Sequence, residues 1–229
     1  MNLVSVAVGK QYELEVQRLL EAYPNTIVIT QRTPGIETAF SLQLLNGLAT
    51  KCLFGCLLPD DSQGPVVLCD ADLHPLIEDP LKQFSVKDET DVAYVIYQGK
   101  WHFPKRLEAY EKAIAKVGKI NSGFVYFKNI QICKEICKEW HAEYMKRMDH
   151  HKIHPDLHMV VDYPSSTGEY DEPSLIYVLD KKNYNIEYLD PRWNVWDGSP
   201  TPKAEAYFYQ EHLNDWNMYK LNPSFRNEG

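Results

Sequence analysis

No stretch of this 229-residue sequence is apolar for long enough to cross a bilayer. The opening residues, MNLVSVAVGKQYELEV, run straight into a strand-like segment, without a basic leader and long apolar core. The expectation is a soluble, cytoplasmic protein with no membrane partner (host cytoplasm, if the chain is viral). Glycine is sparse, at 11 residues, and "VGKQYE" near the N-terminus holds only one. A glycine-rich triphosphate loop is therefore absent, which counts against a nucleotidyltransferase. Positive charge is also short: 24 basic against 32 acidic residues give a net charge of −8. Such a chain has no global attraction for nucleic acid or anionic membrane, so either partner would need a local basic patch. The five cysteines are odd in number, which fits reduced thiols rather than a disulfide framework. Internal repeats, low-complexity tracts and linkers are lacking too.

What is present is an ordinary globular composition, 44% hydrophobic and 24% charged, with a somewhat rich aromatic share of 12%. Apolar runs of strand length alternate with segments of helical period, the pattern of an α/β domain. Strands are expected at 3–8, 26–30, 66–69, 92–97 and 123–127. Helical stripes are expected at 12–23, 40–58, 107–117, 132–148 and 171–182, with a polar loop over 150–170. The first three strands are separated by helices, which implies right-handed crossovers and a largely parallel sheet. Ligands gather outside the carboxyl ends of such strands.

The stretch "GPVVLCDADLHPL" (64–76) drives four apolar residues into Asp70, Ala71 and Asp72. Two neighbouring carboxylates repel unless something positive lies between them. At a strand end they suit a hard divalent cation, Mn²⁺ or Mg²⁺, that bridges to phosphate oxygens. Loop or capping aspartates are the plainer explanation of the same pattern.

Other segments, read with this one, carry a family resemblance. "VVLCDADLHPL" resembles the aspartate motif of the GT-A glycosyltransferases, the nucleotide-diphospho-sugar transferases. "INSGFVYFKN" (120–129) is similar to their asparagine-serine-glycine strand, "YDEPSLIYVL" (170–179) to their acidic helix start, and "LDPRWNVW" (189–196) to the segment that follows. The resemblance spans nearly the whole chain. It implies one GT-A-like (Rossmann-like) domain over 1–229, with a mostly parallel central sheet flanked by helices. A nucleotide-binding half (1–80) would be followed by a sugar and acceptor half (81–229). It further implies transfer of a sugar from a nucleotide-diphospho-sugar, a UDP-sugar, to an acceptor hydroxyl.

By the same resemblance, Asp70, Asp72 and the late His212 would hold the metal. Asn121, Ser122 and Gly123 would line the sugar, and Asp171 and Glu172 would approach the reacting centre. Val8, Gly9 and Tyr12 would meet the uracil ring; Gln31 and Arg32 would meet base or phosphate; Lys220 would meet the diphosphate. The C-terminal stretch "QEHLNDWNMYKL" departs from the family, with Asp215 where glycine is usual and Lys220 two residues late. Elementary chemistry supplies alternatives: Asn, Ser and Gly favour turns, and acids favour a helix N-terminus.

Two zinc readings arise from spacing, at the C-x3-C pairs Cys52/Cys56 and Cys133/Cys137 and at His150, His154 and His158. The cysteines equally share helix faces with core leucines and isoleucines, and Pro155 interrupts the histidine series. Other acceptors or functions remain open: a hydroxymethylated DNA base, nucleotidyl transfer, or a relative that binds nucleotide-sugar without turnover. DNA would need the basic helix around Lys134, Lys138, Lys146 and Arg147.

Overall fold

A computed structural model describes residues 1–36, 47–97, 111–150 and 171–211. The elements, in chain order, begin with strand β1 (Asn2–Val6), helices α1 (Lys10–Glu15) and α2 (Gln17–Ala22), and β2 (Ile27–Ile29). Helix α3 (Gly47–Leu53), β3 (Val66–Cys69), β4 (Leu73–Pro75) and β5 (Val92–Ile96) follow. Next come α4 (Glu111–Val117), β6 (Ile120–Phe127), α5 (Ile130–His150) and α6 (Asp171–Lys181). The chain then forms β7 (Ile186–Leu189), β8 (Val195–Trp196) and β9 (Phe208–Gln210).

Six strands form the main sheet in the order β2-β1-β3-β6-β5-β7. The β1–β2, β1–β3 and β5–β7 pairs are parallel, whereas β6 runs against both β3 and β5. The sheet is therefore mixed at its centre, a feature that apolar periodicity does not encode. A second sheet, β4-β9-β8, sits beside it. The stripe expected over 12–23 is two short helices joined at Val16. The stripe expected over 40–58 is described from Gly47 and ends in a 3-10 turn, Phe54–Leu57.

Side-chain alternation explains why β3 is apolar throughout. Val66 and Leu68 pack into one core with Cys52, Phe54, Trp140 and Leu175, while Val67 and Cys69 pack into another with Leu19, Trp193 and Phe208. Both faces of the sheet are covered, so neither set of alternating positions can be polar. All eight residues of β6 are buried for the same reason.

The antiparallel seam places the site. Because β6 opposes β3, Cys69 pairs with Phe124, and the carboxyl end of one strand meets the amino end of the other. The Asp70 N–H donates to the Gly123 carbonyl at 2.9 Å. The aspartates that follow β3 thus lie beside Asn121, Ser122 and Gly123 at the start of β6.

Candidate active site

Four carboxylates and one ammonium converge at this edge. The Lys51 Nζ on α3 lies 2.8 Å from Asp70 Oδ1 and 3.0 Å from Asp171 Oδ2. It also donates to Ser122 Oγ at 2.9 Å. An ammonium has three protons, so these partners use all of them. Ser122 in turn donates to Asp171 Oδ2 at 2.7 Å, with Glu172 Oε1 at 3.2 Å. The positive charge beside Asp70 is accordingly a lysine from a helix about twenty residues upstream. Burial works against that charge, yet Asp171 and Asp70 outweigh it and hold the Lys51 pKa well above its usual value.

The remaining charges feel the lack of water. Burial raises the Asp70 pKa to about 6 against the pull of Lys51, and Asp72 and Asp171 add to the rise. Burial and then the Asp171 charge lift Glu172 to about 8, against the pull of Lys51. Asp171 and Glu172 open α6, whose first turn is fixed by the Trp140 indole N–H donating to the Asp171 carbonyl at 2.8 Å.

Asp72 is 3% exposed, and its carboxylate accepts from Gln210 Nε2 at 3.1 and 3.3 Å. Its carbonyl accepts from the Glu211 N–H, so the chain leaves β9 alongside this aspartate. Arg18 secures the same point, donating to Glu211 Oε2 at 3.0 Å and to the Glu211 carbonyl at 2.9 Å. Asp72 lies close enough to raise the cost of ionising Asp70, and both act with burial and Glu15 to push Tyr12 up to about 12. Two desolvated oxygen donors that repel each other fit a hard divalent cation as part of its shell. Among the described residues, no group of three His, Cys, Asp or Glu is arranged to hold a metal ion.

Gly123 has a steric reason to be glycine. A Cβ there would overlap Asn194 Nδ2 and approach Asp70 Oδ2 to 3.2 Å. Asn194 donates to Asn121 Oδ1 at 2.7 Å, and the same oxygen accepts from the Gly123 N–H at 3.1 Å. Asn121, Ser122 and Gly123 therefore meet Asp70, Asp171 and Glu172 in one site.

The expected base contacts form a neighbouring group. The Gly9 N–H donates to Gln31 Oε1 at 3.1 Å, and Gln31 donates to Glu13. Gly9 adopts a φ of 101°, a left-handed conformation suited to glycine, directly before α1. Val8 is half-buried, Ala71 buried and Arg32 exposed. Arg32 helps line a cavity of about 380 Å³ with Lys10, Glu13, Val28 and Thr30, at the β2 edge. That cavity contains neither Asp70 nor Asp72 among its lining residues.

His212, Lys220, His154 and His158 lie outside the described residues, as do the side chains of His150 and Arg147. The cysteine pairs pack against each other: a Cβ on Gly55 would lie 2.7 Å from Cys133 Sγ and 2.9 Å from Cys137 Sγ. All five cysteines are free. On the basic helix, Lys134 pairs with Asp60 at 3.7 Å.

Sequence reading did not single out Lys51, Asn194 or Gln210. The available signal for Lys51 was a cation inside "GLATKCL", a helix whose Ala49, Thr50 and Cys52 are all buried. Asn194 stood inside the quoted "LDPRWNVW" and was passed over.

No protein-family model matches the chain, and no curated protein matches it in sequence. Solved structures do match in shape. A glycosyltransferase involved in glycosylating the major capsid of PBCV-1 superposes with a TM-score of 0.56 at 10% identity, over 98% of this chain and 100% of its own. Mouse xyloside xylosyltransferase 1 gives 0.53 at 8% identity, covering 93% and 98%. An active-site mutant of LgtC gives 0.51 at 12% identity, covering 92% and 86%. At such identities the likeness concerns architecture.

Proposed function

We propose, from a chain that has the fold of GT-A-type glycosyltransferases, that it transfers a sugar from a nucleotide-diphospho-sugar, of the uridine type, to an acceptor hydroxyl. The observation that carries this reading is the meeting of Asp70 and Asp72 with Lys51, Ser122, Asp171 and Glu172 at the β3–β6 seam. In the transfer, the bond from the anomeric carbon to the diphosphate oxygen breaks and one to the acceptor oxygen forms. The acceptor hydroxyl loses its proton.

The chain's residues divide this work. Lys51 fixes Asp70 and Asp171 in place, which pre-organises the site at no cost during reaction. Asp171 and Glu172 are offered to the sugar hydroxyls and the anomeric centre, Asn121 and Ser122 supply hydrogen bonds, and Gly123 lets the ligand approach the backbone. Gly9, Tyr12, Gln31 and Arg32, with Val8 and Ala71, receive the nucleotide. Mn²⁺ or Mg²⁺, held by Asp72 and Asp70 with His212, would neutralise charge growing on the departing diphosphate; Lys220 is assigned to that diphosphate. The nucleotide side belongs to 1–80, the sugar and acceptor side to 81–229.

The test is thermal melting with UDP, with and without Mn²⁺, on the native chain and on Asp72→Asn. Ligand near a hundredfold above its Kd adds about 2.7 kcal/mol, or roughly 5–10 °C for a chain this size. The expected result is a metal-dependent rise that Asp72→Asn abolishes. No rise with UDP, or one indifferent to the substitution, overturns the reading.

A further inference from the structure

We propose that Tyr97 and Trp196 form the platform on which an uncharged saccharide acceptor stacks, which makes the acceptor a carbohydrate; the proposal rests on the glycosyl-transfer reading of the adjoining carboxylates. The two rings are stacked on each other, parallel within 17° with centroids 4.8 Å apart, so each keeps one outer face for a ligand, and both residues are half-buried. Tyr97 immediately follows the carboxyl end of β5, and its N–H is bonded to the Lys119 carbonyl at 2.7 Å. Trp196 lies on β8, opposite Gln210 in the ladder, and Gln210 is the residue that holds the Asp72 carboxylate.

The platform is adjacent to the chemistry on its other side too. Glu172 lies near enough for its charge to act on the Tyr97 phenol, after burial, the larger influence. The short segment that bears Trp196 also bears Asn194, two residues earlier and therefore on the same face of an extended chain. The Asn194 side-chain N–H is donated to Asn121, and its Oδ1 is buried with no hydrogen-bond partner among the described residues, a costly arrangement that marks this segment as strained for polar contacts. An aromatic face, negative at its centre, attracts the C–H face of a pyranose, while hydroxyls around the ring reach the polar groups beside it.

Charge decides between ring-shaped ligands. A nucleobase also stacks on aromatic rings, but its strand brings phosphates that require cations. The residue after Trp196 is Asp197, whose carboxylate is bonded to the Tyr209 hydroxyl. Lys51 is committed to Asp70, Asp171 and Ser122, and Lys203 sits over the Tyr209 ring at 3.9 Å. With Lys51 and Lys203 engaged and a net charge of −8 on the chain, an uncharged sugar fits this platform better than a polyanion.

The experiment is saturation-transfer NMR on the full chain with UDP and Mn²⁺. The probes are the methyl β-glycosides of glucose, galactose and xylose, lactose, and a short single-stranded oligonucleotide. The expected result is transfer to the ring C–H protons of at least one saccharide, weakened about tenfold by Trp196→Ala and less by Trp196→Phe. If Trp196→Ala does not fold, Tyr97→Ala removes the other ring and carries the same expectation. Saccharide binding untouched by these changes, no saccharide binding at all, or Trp196-dependent binding of the oligonucleotide instead overturns the proposal. UDP melting separates the two readings. A UDP shift without saccharide binding removes the platform alone, whereas Trp196-dependent saccharide binding without a UDP shift removes the donor reading and leaves the platform.

Discussion

Lys51 gives all three of its ammonium protons to other residues, and its side chain is only 9% exposed. Such a group is held in place by its partners more than it stabilises the fold, because desolvation opposes it. Removing it is a different matter, since Asp171 would be left buried, and Asp70 partly so, without compensation. Lys51→Met is expected to lower stability by about 3–5 kcal/mol, read from the urea midpoint, and Asp171→Asn in the same chain should recover part of the loss. Glu172 yields a second expectation. Its pKa of about 8 in the fold lies above the ordinary glutamate value of roughly 4.3, so the folded chain holds this proton more tightly. The stabilisation is full below about pH 4 and is lost as pH rises towards about 8. Melting of Glu172→Gln should therefore fall less than that of the native chain between those limits, and parallel curves would contradict the assignment. At Gly123 a methyl group must displace the Asn194 amide. Gly123→Ala is expected to cost about 1–3 kcal/mol in the melting curve and to reduce transfer further than that loss explains.

Among the elements, β3 and the carboxylates behind it were legible because an all-apolar strand ending in charge has few alternatives. The starts of β6 and α6 were legible through "INSGF" and "YDEPS", whose residues do converge. The parallel sense of β1, β2 and β3 was legible from the helices between them, but the reversed sense of β6 was not, since period-two burial shows that a strand exists and says nothing of its direction. Lys51 escaped for a related reason: beyond Asp70, its partners stand 71 residues away at Ser122 and further still at Asp171, and no local pattern records such pairings. The paired cysteines show the converse. Their spacing admitted a metal site beside the plainer reading of shared core faces, and the structure packs Cys133 and Cys137 in the core, where their sulfurs meet Gly55 and let α5 approach the turn after α3. Gly55→Ala should cost about 1–3 kcal/mol in the urea midpoint, because the thiols it meets are buried and cannot swing away.

For the whole molecule, the charge of −8 bears directly on the acceptor. Acceptor binding is expected to change little between about 50 and 200 mM salt, where a phosphate-contacting protein would lose affinity steeply. A steep rise of acceptor KM with salt would return a hydroxymethylated base to consideration. The β3–β6 seam has one more consequence, in the order of synthesis. β3 acquires its β1 neighbour as soon as it is made, but its other edge waits until β6, some fifty residues later, has been translated. During that interval a fully apolar strand presents an unpaired edge, the kind of surface that recruits other strands. A nascent chain stalled between the two should need a chaperone that the finished chain does not. The two strands that build the site also set the moment at which the protein becomes safe from aggregation.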